Sequence, residues 1–226
     1  QIAGIDLDGE KRGVLPSTDW KRKGYRKPEQ QRWYAGESVS ITVGQGYNAF
    51  TLLQLAQATS VLSNAGVYMK PHLVAQVHDP LSGQVKQTVT EPSYTINLKP
   101  ENLKVIRDAM ADVIRSGTAR RAFLGAPYQV AGKTGPAQVY SLRGAKYHAS
   151  SVDERLRDHA LFMAYAPVDN PRIALALIVE NGGWGASTAA PIARKVFDYW
   201  LSPDRAAEAR KTQPVAAPTE AVPEDG

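Results

Sequence analysis

The sequence contains no cysteine, which excludes a disulfide framework and any zinc–thiolate site. That absence leaves the compartment open, since periplasmic and cytosolic proteins alike do without cysteine. Long hydrophobic runs are missing too: the longest, Ile173 to Val179, falls far short of the roughly 20 residues that cross a bilayer. Histidine is scarce, and His72, His78, His148 and His159 show no metal-ligand spacing, so nothing here calls for a metal or a cofactor. No serine is followed three residues later by a lysine, and Ser-x-Asn does not occur. Serine chemistry would therefore lack its activated nucleophile within these residues.

What is present is 226 residues, 43% of them hydrophobic, enough for one substantial domain with a real core. The net charge of +5 invites a nucleic-acid reading. The distribution argues against it. The densest basic cluster, Lys21, Arg22, Lys23, Arg26 and Lys27, falls in a predicted loop, and the other cations are mixed with acids. A solvated surface is the simpler reading; an anionic polymer or leaflet is the alternative.

Residues 1–50 are rich in glycine and charge, and read as loops with short strands such as Ser38–Val43. Thr51-Leu-Leu-Gln54 matches a capping box, and Leu52, Leu55, Ala56, Thr59, Leu62 and Ser63 continue at helical spacing until Gly66. Val67–Val77 and Gln84–Thr90 read as extended, joined through Pro80-Leu-Ser-Gly83. Pro100 opens a helix with Leu103, Ile106, Met110, Val113 and Ile114 on one face and Gly117 at its end. Arg115–Phe123 is predicted as loop or short helix, starting at Gly117-Thr118-Ala119.

Three strands follow: Tyr128–Ser141, His159–Ala166 and Arg172–Glu180. The last two are joined by Pro167-Val-Asp-Asn-Pro171, short enough for an antiparallel hairpin. Their near-continuous apolar character predicts a sheet covered on both faces. A final helix, Ser187–Leu201, is expected to bury Ile192, Val196 and Trp200. The pattern is α+β, an antiparallel sheet with packed helices over residues 1–202, followed by an Ala/Pro-rich disordered tail at 203–226.

The chemistry concentrates in Val130-Ala-Gly-Lys-Thr-Gly-Pro-Ala-Gln-Val-Tyr140, an extended stretch presenting one cation, one hydroxyl and one glycine. Lys133 supplies a fixed charge for a substrate carboxylate and can help move a proton. Thr134 offers a hydroxyl to the same carboxylate. Gly135 has no side chain, so an acyl donor can lie against the strand as an added β-strand would. Pro136 and Ala137 continue the same wall. Lys-Thr-Gly is the third motif of the acyl-serine enzymes, the penicillin-binding proteins and serine β-lactamases.

The resemblance extends along the chain. Gly4-Ile-Asp-Leu-Asp-Gly-Glu10, Gly44-Gln-Gly-Tyr47, Gln54-Leu-Ala56 and Ala131-Gly-Lys-Thr-Gly135 occur in the order found in class B penicillin-binding proteins. So do Arg157-Asp-His-Ala-Leu161, Ala164-Tyr-Ala-Pro167 and Val179-Glu-Asn-Gly-Gly183. Residues 1–201 most resemble the elongation type, the penicillin-binding protein 2 group, over the C-terminal part of the transpeptidase domain. The resemblance implies a penicillin-binding/β-lactamase-like fold and a D,D-transpeptidase that cross-links peptidoglycan stem peptides and is acylated by β-lactams. It also implies a place on the periplasmic face of the bacterial inner membrane, with the anchor absent from this chain. A membrane glycan polymerase and elongation-complex proteins are the implied partners, with no nucleic acid. The Ser-x-x-Lys and Ser-x-Asn motifs would precede Gln1, so these residues alone are expected to have no turnover and to expose apolar faces. Pro136 departs from the family, whose members usually carry a threonine there; its N–H completes the oxyanion hole. Proline has no N–H to give. It is also tolerated on an edge strand, where that N–H would face outward.

Five other readings compete. Gly132-Lys133-Thr134 could end a phosphate-binding loop, but Pro127 stands where that motif needs glycine. Gly44-x-Gly46-x-x-Ala49 fits a dinucleotide fingerprint, yet no acid stands in Asn64–Lys70, where the ribose ligand belongs. His159, beside Asp158, could shuttle a proton or simply order a turn, while Trp33, Tyr34 and Tyr47 could line a groove or pack. Finally, a non-catalytic binding or scaffold module of the same fold would accommodate both the missing serine motifs and Pro136.

Overall fold

A computed structural model describes residues 2–139 and 153–203. The predicted strand ends at 140–141, His148 and the tail from 204 onward lie outside the described residues. A three-stranded antiparallel sheet organises the fold, in the order β5 (Ala131–Ala137), β6 (His159–Ala166), β7 (Ile173–Val179). Pairing is unbroken from Ala131↔Tyr165 to Ala137↔His159 and from Ala160↔Val179 to Ala166↔Ile173.

Helices cover both faces of this sheet, as the apolar strands required. Side chains alternate along a strand, so Ala160, Phe162 and Ala164 face one way and Tyr165 the other. The first set packs with Phe123 and with α6 (Ala189–Trp200) through Ala189, Ala190, Ala193 and Phe197. Tyr165 and Ala131 pack with Met110 and Ala111 of α5 (Pro100–Arg115), beside Leu62 of α4 (Leu52–Ser63). Thr51 caps α4 as expected: its hydroxyl accepts from Gln54 N at 3.2 Å while Thr51 N donates to Gln54 Oε1 at 3.0 Å.

The buried face of α6 differs from expectation. Ile192, Val196 and Trp200 are 42%, 40% and 44% exposed, whereas Ala189, Ala193 and Phe197 are fully buried. Two alanines at i and i+4 let the helix axis approach the sheet closely, and Phe197 fills the space one turn further on. Larger residues on that stripe would hold the helix away.

The first 50 residues also differ. They fold as α1 (Thr18–Gly24), α2 (Pro28–Gln31) and α3 (Ala35–Thr42), so the predicted strand Ser38–Val43 is helical up to Thr42, with Val43 as the C-cap. Its β-branched residues suggested a strand. The helix prevails because the Glu37 carboxylate accepts from Tyr34 N at 2.9 Å and also pairs with Lys21. The basic cluster likewise starts on a helix, capped by the Ser17 hydroxyl on Trp20 N at 3.1 Å. Two small antiparallel pairs complete the fold: β1 (Val67–Met69) with β4 (Pro92–Thr95), and β2 (Gln76–His78) with β3 (Val85–Gln87). Strand β4, absent from the sequence prediction, is held by stacking of Tyr94 on Tyr68 at 4.6 Å between ring centres.

Candidate active site on the Lys-Thr-Gly strand

Strand β5 forms an edge of the sheet, pairing with β6 alone among the described residues. Gly132 sets its close approach to β6: a Cβ there would lie 2.9 Å from Phe162 Cζ and 2.9 Å from the Met163 carbonyl. Beyond the cover of α5 the strand emerges, and Lys133 is exposed. Its ammonium folds back onto the outward carbonyl of Thr134. Thr134 is 9% exposed, and its hydroxyl shares a 2.8 Å hydrogen bond with that of Thr118. Thr118 was not a predicted site residue, although the Gly117-Thr118-Ala119 turn was visible in the sequence. A hydroxyl has one proton and two lone pairs, so Thr134 retains capacity toward a ligand while Thr118 fixes its orientation.

Gly135 is met from one side by the turn after β7. A Cβ on Gly185 would stand 2.3 Å from the Leu161 carbonyl and 3.1 Å from Gly135 N. That turn is ordered by His159, whose Nδ1 accepts from Asn181 N at 2.9 Å, and by Asn181 Nδ2 on the carbonyls of Arg155 and Arg157, each at 3.0 Å. Of the two readings of His159, ordering a turn is the one the geometry supports.

Pro136 is exposed, and its carbonyl accepts from Gln45 Nε2 at 2.9 Å. In extended backbone a residue's N–H and C=O point the same way, and residues two apart share a direction. Thr134 and Pro136 therefore both present their main chain to the open edge. Thr134 offers a donor and an acceptor; Pro136 offers an acceptor alone. The proline is thus accommodated by the sheet, its donor-less nitrogen on the open edge. Ala137 ends the strand, half-buried opposite His159.

The Gly44–Ala49 segment that delivers Gln45 follows helix α3, whereas a dinucleotide fingerprint follows a strand. Gly132-Lys133-Thr134 lies inside a strand, where a phosphate-binding loop would open a helix. Both rival motif readings fail on these contexts. Trp33, Tyr34 and Tyr47 each make a local hydrogen bond: Trp33 Nε1 donates to Ser38 Oγ at 2.9 Å, Tyr34 OH to Glu29 O at 3.1 Å and Tyr47 OH to Glu37 Oε1 at 3.0 Å. At the centre of that network Lys21 is 3% exposed and bonds both Glu37 and the Arg32 carbonyl. The hydrogen bond from Lys21, with that from Tyr34 N–H, holds the Glu37 carboxyl below its ordinary range. Donation to Glu37, with burial, pushes the Tyr47 phenol up to about 12.

An edge strand carrying Lys-Thr-Gly, an apolar hairpin beside it and a C-terminal helix across the sheet fit a penicillin-binding transpeptidase domain. The profile of the family described as penicillin binding protein transpeptidase domain matches residues 2–198, and the chain belongs to that family. Within it, the chain is similar to peptidoglycan D,D-transpeptidase MrdA of Acinetobacter baumannii, 41% identical over 203 residues, which are 89% of this chain and 29% of that protein. The fold is similar to Pseudomonas aeruginosa PBP2, solved in complex with WCK 5153, with a TM-score of 0.69 and 38% identity over 87% of this chain and 40% of that one. It is also similar to Helicobacter pylori PBP2, solved in complex with MreC, with a TM-score of 0.68 and 25% identity over 89% of this chain and 33% of that one. The chain therefore spans well under half the length of these relatives.

Proposed function

We propose that these residues form one wall of the cleft of a D,D-transpeptidase that cross-links peptidoglycan stem peptides through an acyl-serine intermediate. The supporting observation is the open edge of β5, where exposed Lys133, side-chain-free Gly135 and the outward main chain of Thr134 stand in register. An extended acyl donor would pair with that edge, its carboxylate drawn to Lys133 and Thr134. A serine supplied by another part of the complete protein would attack the D-Ala-D-Ala carbonyl. The terminal D-alanine would leave as an amine, taking up a proton, and the acyl group would pass to an amine of a second stem peptide.

The similarity to MrdA supports a role in wall elongation at the periplasmic face of the inner membrane, and β-lactams would acylate the same serine. The Helicobacter relative solved with MreC supports elongation-complex partners, beside a membrane glycan polymerase. The test is release of D-alanine from a stem pentapeptide by the complete protein. The wild type should release it, and Lys133→Ala should reduce the rate by at least about 100-fold, in line with loss of an electrostatic contact made in the transition state. Equal rates would remove Lys133 from the site.

One observation favours a second reading. Pro136 leaves the edge without a donor where the family's oxyanion-hole N–H belongs, as a binding module without chemistry would tolerate. No D-alanine release, with retained stem-peptide binding, would establish that module.

A further inference from the structure

Gln45 reaches the candidate site from 91 residues away in sequence, donating through Nε2 to the Pro136 carbonyl at 2.9 Å. The turn that carries it is built to hold it. Gln45 N donates to the Ser40 carbonyl at 3.0 Å and Gly44 N to that of Ile41 at 2.9 Å. Asn48 Nδ2 then clasps the carbonyls of Ile41 and of Gln45 itself, at 3.0 and 3.1 Å. Gly44 and Gly46 adopt φ of +81° and +70°, a region that favours glycine. Next in sequence, Tyr47 ties the turn to Glu37 and so to buried Lys21. The half-buried carboxamide is thus presented by a fixed scaffold, while its contact with Pro136 is a single hydrogen bond at an open edge.

A ligand that adds to a strand edge donates its main-chain N–H groups to outward carbonyls. On β5 the acceptor beyond Gly135 is the Pro136 carbonyl, and a carboxamide N–H already bonds it. The chemistry of that donor is the chemistry of a peptide N–H. We infer that Gln45 is a displaceable stand-in for the acyl donor's amide: it holds the Pro136 acceptor in the empty cleft, and an incoming stem peptide or β-lactam side-chain amide takes that acceptor from it. The inference rests on the transpeptidase reading above. It makes Gln45 a specificity determinant, because a ligand that carries an N–H at this point competes with Gln45, whereas a ligand without one leaves the contact in place.

The test uses the complete protein as wild type, Gln45→Met and Gln45→Ala, acylated either by a cephalosporin with an acylamino N–H or by a carbapenem, which has none. Methionine keeps the length of the side chain and removes the donor, and unfolding midpoints establish that the variants fold. Removing the competitor should raise the cephalosporin's second-order acylation rate by about 3- to 10-fold, the scale of one net hydrogen bond. The gain should appear in the binding constant and not in the acylation step, with the carbapenem rate unchanged. An equal fall for both drugs, or no gain for the cephalosporin, would overturn the inference while leaving the transpeptidase reading intact. A wild type acylated by neither drug would overturn both.

Discussion

Pro136 alters the chemistry of β5 by subtracting a main-chain donor at the open edge while leaving the acceptor and the strand intact. Its neighbours show why the strand tolerates it: the ladder to β6 runs unbroken through Pro136↔Ala160. Restoring the donor with Pro136→Thr should raise the acylation rate of the complete protein by as much as about 10²–10³-fold, the size of one oxyanion-hole contact. Stopped-flow acylation by a chromogenic β-lactam measures it, and an unchanged rate would show that this N–H does not point at the reacting carbonyl. Gly185 acts by what it lacks. With its Cβ placed 2.3 Å from the Leu161 carbonyl, Gly185→Ala must push the turn off Gly135. The variant should lose acylation out of proportion to its change in thermal midpoint; proportional losses would make the glycine a folding requirement alone. The sequence displayed Lys133, Thr134 and Gly135 directly. It could not display Thr118 or Gln45, because their roles depend on contacts 16 and 91 residues away that only the fold creates.

Among the elements, α3 and α6 show where pattern reading stops and packing takes over. Helix α3 is rich in β-branched residues, yet Val39 is exposed and contributes little; what fixes the helix is Glu37, held by Lys21, Tyr34 and Tyr47. Such a tertiary anchor leaves no periodic trace. Helix α6 was legible in extent but not in orientation, since Ile192, Val196 and Trp200 suggested the inner face and three alanines with Phe197 occupy it. By contrast α4, β6 and β7 were legible because cap, period and burial agree. The anchor of α3 has a pH signature. Tyr47 ionises at about 12 in the fold, against roughly 10 for an unfolded tyrosine, so the neutral phenol favours the folded state. Its contribution is complete below about pH 10 and is lost as pH rises through about 12. Glu37 works in the opposite direction: its lowered pKa gives stability that is present at neutral pH and lost on acidification through the folded value. Burial also raises the phenols of Tyr128 and Tyr68, so Tyr47→Phe should remove one phenol's amplitude from the late phenolate transition in an ultraviolet titration and flatten the alkaline loss of stability. A late amplitude unchanged in the variant would show that Tyr47 does not contribute to it.

For the molecule as a whole, one core on the α6 side of the sheet joins Phe123, Phe162 and Phe197, and it carries the candidate edge strand on its rim. Phe197→Ala should cost about 3–5 kcal/mol, because the ring is fully buried and the cavity has rigid alanine-lined walls. Denaturant unfolding of the complete protein would read that loss, and a cost below about 1 kcal/mol would mean that α6 does not depend on this contact. In the proposed function the fold presents one wall of an acyl-serine site. Its most direct test is the intact mass of the complete protein, with and without a β-lactam. A gain of one drug mass, lost on removal of the nucleophilic serine, is the predicted result. A protein that binds stem peptide and gains no mass would contradict it and identify a transpeptidase fold retained for recognition alone.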